Sequence, residues 1–407
     1  MKYIFTIAFK NIIAQKRRTA LTFAMLSFGI SFFIVIYGML EGFDISSFDN
    51  LIKSQTGHLK IRSTDFDEDS PYDLDNTFKF SSDISSVLES ESFIKGYAER
   101  INFVAEIDNT IDSSPVIVVG IDSQKDKSVF DLQDKMRGEL KPESCVLGSV
   151  LAEDLNLAIG NLCYITFRDS SGMITSIELE ITGILTTADL VINSTTVLIN
   201  INDAQSLLNT DKISEIAILT DNPDKVYGYR DILSSKIPDR QIITWQALAE
   251  DFANITRTKR KGSSVILIFI LIISMVGIIN TMIMSVYEKK TEIGTMKALG
   301  MTDRQVEYMF LFEGLIIGIS GCLIGLFLGS VFNFYFAYVG VDWGALMGAE
   351  DLASMGFSVT GKIKSTWPLS AYLVSFILSM AASAAASFYP ARKVLKMQPV
   401  ECLRTIQ

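Results

Sequence analysis

Few residues in this sequence have the types and spacing that covalent chemistry needs. It has one histidine, His58, and four cysteines, Cys145, Cys163, Cys322 and Cys402. Histidine-based catalysis is therefore largely excluded, and no spacing suits a metal. Cys145 and Cys163 read equally as a disulfide or as two free thiols. GFSVTGKI, at Gly356–Ile363, nearly spells a phosphate-binding loop. It ends in Ile363 where a hydroxyl must reach magnesium, so ATP hydrolysis is not expected of this chain. What remains is YEKKTEIGTMKALGMTDRQV, Tyr287 to Val306, between two apolar runs. Glu288 and Glu292 stand one helical step apart, as do Lys289 and Ile293. Ile293, Met296 and Leu299 or Gly300 mark an apolar stripe. Gly300 suits the left-handed conformation that closes a helix, and Thr302 with Gln305 spells a capping box for the next one. The segment reads either as a short helix gripped by a partner or as one lying in a lipid headgroup layer. Glu313, at the mouth of the following apolar run, calls for a cation or a helix N-terminus, because carboxylates are costly there.

The elements that must position these residues are membrane spans. The chain has 407 residues, 49 % hydrophobic and 20 % charged, with a mean hydropathy of +0.32. The charge comes in blocks: none falls in Thr19–Leu40, Gly262–Tyr287, Gly314–Val341 or Ser365–Ala391. Each run reaches the ~20 residues a helix needs to cross about 30 Å of hydrocarbon. Lys10, Lys16, Arg17 and Arg18 lie before the first run. Lys289, Lys290, Lys297 and Arg304 follow the second, and Arg392, Lys393, Lys396 and Arg404 follow the fourth. This bias puts both termini in the cytoplasm. Arg257, Lys259, Arg260 and Lys261 break the rule locally and fit outer-leaflet phosphates. In span three Gly321, Gly325 and Gly329 form a small-residue ridge, and span four carries Ser375, Ser379, Ser383 and Ser387. Both patterns read as close packing rather than a transport path.

Between the first and second spans, Glu41–Lys261 carries 21 basic and 37 acidic residues, which argues against a nucleic-acid partner. GHLKIR, YAERINFVAEI and PVIVVGI near its start, and EIAILT and QIITW near its end, read as strands around helices near Ser81–Glu89 and Pro223–Ser235. LCYITFRDSSGMITSIELEITGIL, Leu162–Leu185, reads as two strands around a tight turn at Asp169–Gly172. The expected fold is an α-helical membrane protein with four transmembrane helices and a large α+β extracytoplasmic domain inserted between the first and second. Expected boundaries are a cytoplasmic amphipathic helix at 1–18, spans at 19–42, 262–287, 305–341 and 365–391, and the outside domain at 43–261 with a β insertion near 140–200. A coupling segment occupies 288–304, an outer loop 342–364 and a cytoplasmic tail 392–407.

SVYEKKTEIGTMKALGMTDRQV, followed by FLFEGLIIGISGCLIG, resembles the FtsX-like permease family of ABC transporters, as does YPARKVLKMQPVECLR at Tyr389–Arg404. Val394 and Cys402 replace the small residues usual in that second pattern. QTGHLKI, VVGID and CVLGSVLAEDLNLAIGNLCYI are similar to segments of the lipoprotein-releasing (Lol) branch. The macrolide-exporter branch normally carries its ATPase in the same polypeptide, and the cell-division branch has a much smaller outside domain. The resemblance implies a permease subunit of the bacterial inner membrane, its large domain in the periplasm, that passes lipoproteins to a soluble carrier; the alternatives are a signalling permease regulating an extracytoplasmic partner and an exporter of a small hydrophobic compound or peptide. Its partners are implied to be a cytoplasmic ABC ATPase dimer, a second FtsX-like permease, a lipoprotein substrate, a soluble periplasmic lipoprotein carrier and membrane lipids. No cofactor is expected in this chain; ATP and magnesium belong to the partner ATPase.

The resemblance also implies site residues. Glu288, Lys289, Glu292, Ile293, Met296, Leu299 and Gly300 become the coupling helix seated on the ATPase. Ile36, Met39, Leu40 and Phe43 of span one, with Ile266, Phe269 and Ile270 of span two, become the acyl-chain lining; read from the residues alone, they serve equally as lipid-facing surface. Arg168, Asp169, Ser170, Ser171, Gly172 and Met173 become a hairpin that recruits the carrier, against the plain reading of a solvated turn.

Overall fold

The computed structural model describes residues 6–10, 16–348, 351 and 362–395. Most of the leader at 1–18, the tail from 396 and the first six residues of the near phosphate loop, 356–361, lie outside the described residues. The chain divides into two compact units, one of Met1–Phe43, Thr256–Val341 and Lys362–Gln407, the other of Asp44–Ile255 and Asp342–Gly361.

Four helices are long and apolar enough to cross a membrane. They belong to α1 (Lys16–Leu51), α7 (Glu250–Glu288), α9 (Asp303–Val339) and α10 (Leu369–Leu395). At 1.5 Å per residue, the 37 residues of α9 reach about 55 Å, well beyond the ~30 Å hydrocarbon core. α1 likewise continues nine residues past 42, the expected end of span one. The glycine ridge of α9 divides between two neighbours. A Cβ on Gly314 or Gly318 would fall within 2.0 Å of the Ser387 or Ser383 hydroxyl of α10. A Cβ on Gly321, Gly325 or Gly329 would run into Leu26, Ser27, Ile30 and Ser31 of α1. Ser375, Ser379, Ser383 and Ser387 are fully buried, so both stripes are packing surfaces here, as small residues in spans commonly are.

The second unit is built on a ten-stranded sheet. Its strands are β1 (Leu59–Ser63), β2 (Ile94–Asp108), β3 (Ser113–Ile121), β4 (Met136–Gly138), β5 (Ser144–Gly148), β6 (Leu162–Arg168), β7 (Ile174–Leu185), β8 (Thr196–Asn200), β9 (Glu215–Thr220) and β10 (Arg240–Thr244). The spatial order is β10-β1-β9-β2-β3-β8-β5-β7-β4, and β6 joins β2 to β7. Following the pairings β2-β3-β8-β5-β7-β6 leads back to β2, so six strands close a small barrel. The β-rich middle near 140–200 is therefore no separate insertion: β3 pairs in parallel with β8 and carries one sheet through it. β4, β5 and β8 were not read from the sequence. They are three to five residues long, too short to show a period.

Alternation decides the core. Leu59 and Ile61, Ile101 and Phe103, Val116 and Val118, and Val197 and Ile199 point into the main apolar cluster. Their neighbours, Lys60, Arg62, Arg100, Asn102, Ile117, Val119, Thr196 and Leu198, face the other way. Cys145 on β5 and Cys163 on β6 are buried free thiols with Sγ atoms 3.5 Å apart. They stand on strands either side of β7, paired with Ile181 and Leu179 of that strand.

Candidate functional site

The coupling segment folds as three consecutive devices. α7 stops at Lys289, whose ψ of 11° departs from the helix, and α8 (Lys290–Ala298) starts at once. α8 then closes on Gly300, φ +99°. The Gly300 N–H donates to Lys297 O and the Met301 N–H to Met296 O, both at 3.0 Å, the paired bonds of a Schellman stop. Thr302 and Gln305 form the capping box of α9, the Thr302 N–H donating to Gln305 Oε1 at 2.9 Å. Lys297 reaches Asp303 at 2.8 Å, clipping the end of α8 to the first turn of α9, where an acid is favoured by the helix dipole.

Burial sorts the expected coupling residues into two sets. Ile293 is fully buried, and Met296 packs on the same cluster, made with Met282 and Val286 of α7 and Val306, Met309 and Phe310 of α9. Lys289 is buried too. Its Nζ lies 3.9 Å from Glu313 Oε2, and the Ser285 hydroxyl donates to Glu313 Oε1 at 3.2 Å. Glu313 thus has the cation that its position demands. Glu288, Glu292 and Gly300 are exposed, and Leu299 is 83 % exposed. Leu299 does not belong to the apolar stripe; it stands at the stop, beyond the last turn that packs. Protein covers the face of α8 that carries Ile293 and Met296. The result is a knob with an anchored back and an acidic, partly apolar front.

The expected acyl lining is only partly open. Phe43 is buried, Ile36, Met39, Leu40 and Ile270 are half-buried, and Phe269 is 61 % exposed. Ile270 is covered in part by the cluster around Leu26, Ile30 and Phe33. The Ile266 side chain lies outside the described residues. The exposed ridge of α1 is Leu21, Met25, Phe28 and Phe32, whose last two rings stack 6.3 Å apart. It lies one to two turns N-terminal to the expected lining, because Gly38, Gly42 and Phe43 turn the outer end of α1 inward. On α7 the open face is Phe269, Ile272, Ile273 and Val276.

The turn of the β6–β7 hairpin is built by Asp169. Its carboxylate accepts from Ser171 N, Ser171 Oγ and Met173 N at 2.9, 2.6 and 2.8 Å. The Ser171 hydroxyl first, then the Met173 N–H, hold its pKa below the usual aspartate value. Gly172 takes φ +84°. The turn does not project freely: the Ser170 N–H donates to Leu208 O, and its hydroxyl to Asn209 O, both at 3.2 Å. Arg168 is exposed, with Met173 63 % and Ile174 65 % exposed.

Two family models match the chain. Residues 264–399 match the FtsX-like permease C-terminal model. Residues 19–230, more than half of the chain, match the MacB-like periplasmic core domain. The chain belongs to the FtsX-like permeases. Among relatives, the lipoprotein-releasing system transmembrane protein LolE of Haemophilus influenzae is 24 % identical, over 93 % of this chain and 92 % of that one. LolC of Neisseria meningitidis serogroup B, described in the same words, is 21 % identical over 95 % and 94 %. The solved periplasmic region of MacB from Actinobacillus actinomycetemcomitans covers 51 % of this chain and 97 % of its own, with 13 % identity and a TM-score of 0.36.

This FtsX-like permease also carries a polar clasp that sequence reading missed. Asn333, fully buried in α9, donates from Nδ2 to Thr366 O at 2.8 Å and accepts from the Ser365 hydroxyl at 2.5 Å. Thr366 donates its N–H to Gly38 O at 3.0 Å and its hydroxyl to Glu41 Oε2 at 2.6 Å. A Cβ on Gly42 would lie 2.2 Å from Lys364 O. The available signals were a carboxamide inside a charge-free run and glycines four residues apart in span one.

Proposed function

We propose that this permease extracts lipoproteins from the inner membrane and passes them to a soluble carrier, powered by a separate ATPase. The observation that carries the reading is the end-to-end likeness to two proteins named for lipoprotein release, spanning 93 % and 95 % of this chain. The coupling geometry supports it. Glu288 at the end of α7, Glu292 on α8 and Leu299 just after it meet the ATPase, while Ile293, Met296 and the Lys289–Glu313 pair carry its motion into α7 and α9. ATP and magnesium bind in the partner, which supplies hydrolysis; this subunit is non-catalytic. A second permease of the same family completes the assembly, both termini are cytoplasmic, and the outside unit stands in the periplasm. Open apolar ridges on α1 and α7 take the acyl chains, each buried CH₂ contributing ~0.8 kcal/mol. The β6–β7 hairpin offers Arg168, Met173 and Ile174 to the carrier.

The test is reconstitution of this chain in proteoliposomes with the ATPase and permease that copurify with it, followed by transfer of a triacylated lipoprotein to soluble carrier. ATP-dependent transfer is the expected result. ATP turnover without transfer, accompanied by activation of an extracytoplasmic partner, would replace the transport reading with a signalling one.

A further inference from the structure

Two kinds of seam hold the four spans together, and they differ in the movement they allow. α1, α9 and α10 are joined through main-chain atoms. The Thr366 N–H donates to Gly38 O at 3.0 Å, its hydroxyl to Glu41 Oε2 at 2.6 Å, and Asn333 Nδ2 donates to Thr366 O at 2.8 Å. This clasp ties the outer end of α1 to α9 and to the segment entering α10. Deeper in the spans, the Ser27 hydroxyl of α1 donates to Gly321 O of α9 at 2.9 Å. A Cβ on Gly325 would lie 2.9 Å from Ser27 O, and one on Gly329 3.0 Å from Ser31 Cα. The Ser330 hydroxyl of α9 donates to Tyr372 Oη of α10 at 3.2 Å. A slide of one residue, about 1.5 Å, would break the clasp and bring side chains to places that fit only glycine.

α7 is seated differently. Its Met275 and Met282 share a cluster with Met309 of α9, and a Cβ on Gly277 would meet Met25 Sδ of α1 at an ordinary 3.4 Å. Leu267 and Ile270 share a cluster with Leu26 and Ile30 of α1. The Thr22 and Thr281 hydroxyls, 2.7 Å apart, join α1 to α7 through side chains. Methionine has three rotatable bonds and re-packs around a shifted neighbour, and packed helices that slide past one another are a common form of domain movement. Only Lys289 separates α7 from α8, so a push on α8 reaches α7 directly.

We propose that α1, α9 and α10 stay one rigid body through the ATPase cycle and that α7 slides against it on its methionine side, carrying the displacement of α8 outward. Thr366, Asn333 and Gly38 are positioning residues of the rigid body. This rests on the ATPase coupling proposed above and not on the identity of the cargo.

The experiment uses the full chain in complex with the ATPase and permease that copurify with it. Two cysteine pairs report on the two seams. Thr22→Cys with Thr281→Cys spans α1 and α7 where two hydroxyls already touch. Gly38→Cys with Ser365→Cys spans the clasp, where a Cβ on Gly38 would lie 2.6 Å from the Ser365 Oγ that a sulfur replaces. Disulfide formation under a mild oxidant is read from the mass of the linked peptides, without nucleotide and with ATP plus vanadate. Linkage of the first pair should differ between the two states, and linkage of the clasp pair should not. Formed beforehand, the first bridge should abolish ATP-driven transfer until reductant is added, while the clasp bridge leaves transfer unchanged. Equal linkage of the first pair in both states, or transfer indifferent to its bridge, overturns the sliding of α7. Nucleotide-dependent linkage at the clasp, or transfer that its bridge stops and reductant restores, overturns the rigid body. Should Gly38→Cys prevent assembly, Glu41→Cys with Thr366→Cys, joined by a short bis-thiosulfonate, takes its place. Linkage is scored apart from transfer: nucleotide-dependent linkage of the first pair in a complex that transfers no lipoprotein even unbridged sinks the release reading alone.

Discussion

At the scale of single residues, two polar groups have been placed where ionisation matters. His58, the chain's one histidine, accepts the Thr220 N–H at Nδ1, 3.1 Å away, with the Thr220 hydroxyl at 2.9 Å. Burial lowers its pKa, with the Asp49 carboxylate pulling weakly the other way. Unfolded, it takes its proton near pH 6.5; folded, only at lower pH. The unfolded state therefore binds more protons, and this contribution to stability is complete above about pH 6.5 and is lost as pH falls toward the lowered value. Thermal unfolding of the full chain between pH 8 and 5 should show a destabilisation that His58→Gln reduces; an identical pH profile in the variant would refute it. Lys289 and Glu313 are the second case. Glu313→Leu leaves a buried cation without its carboxylate, a loss of about 3–5 kcal/mol. Adding Lys289→Met should recover much of the melting temperature while leaving ATP-driven transfer impaired, because a joint has been replaced by an apolar contact. Additive losses in the double variant would mean the two residues are not coupled.

At the scale of elements, the stop at Gly300 and the ridge on α9 make different demands on glycine. A Cβ at Gly300 meets nothing within 4 Å, so the constraint there is the left-handed backbone alone. Gly300→Asn should be tolerated, and Gly300→Val should cost at least the ~1–2 kcal/mol of a left-handed β-branched residue. It should also uncouple ATPase activity from transfer with the protein still inserted. Equal behaviour of the two variants in a transfer assay would remove the stop from the mechanism. At Gly318 the backbone is ordinary and the neighbour is not: its Cβ would sit 2.0 Å from Ser383 Oγ. Gly318→Val should lower the melting temperature through overpacking worth about 1–3 kcal/mol, and Ser383→Gly should partly rescue it. The hairpin is tied at its tip to Leu208 and Asn209, so deleting Ser170–Gly172 would also remove those two hydrogen bonds. Arg168→Glu with Met173→Asp changes only exposed groups and is the cleaner probe of carrier capture.

At the scale of the whole molecule, the transport reading predicts where cargo touches. A photo-reactive residue at Phe32 or Phe269, both exposed, should label lipoprotein in a complex that turns over ATP. One at Ser383, buried between α9 and α10, should not. Label at Ser383 alone, or at none of the three, would move the lipid path elsewhere. Phe32 is a better probe than Met39, which is half-buried within the chain's own fold.

The four spans and the inserted domain were legible in the sequence because hydrocarbon thickness imposes a length, and charge exclusion, that a single run of residues can display. The stop at Gly300 and the cap at Thr302 were legible for a similar reason: both are local, satisfied by partners within five residues. EIAILT became β9, Glu215–Thr220, unchanged, its residues mostly buried between β1 and β2. What the sequence could not display was anything set by residues far apart along the chain. The barrel closes through β3 and β8, whose paired residues are about eighty positions apart. Whether Met39 or Phe32 faces outward depends on Gly38 and Gly42 meeting residues 364–366. Local propensity and hydrophobic length act along the chain; closure, burial and unmet hydrogen bonds are properties of contacts, and only tertiary packing decides those.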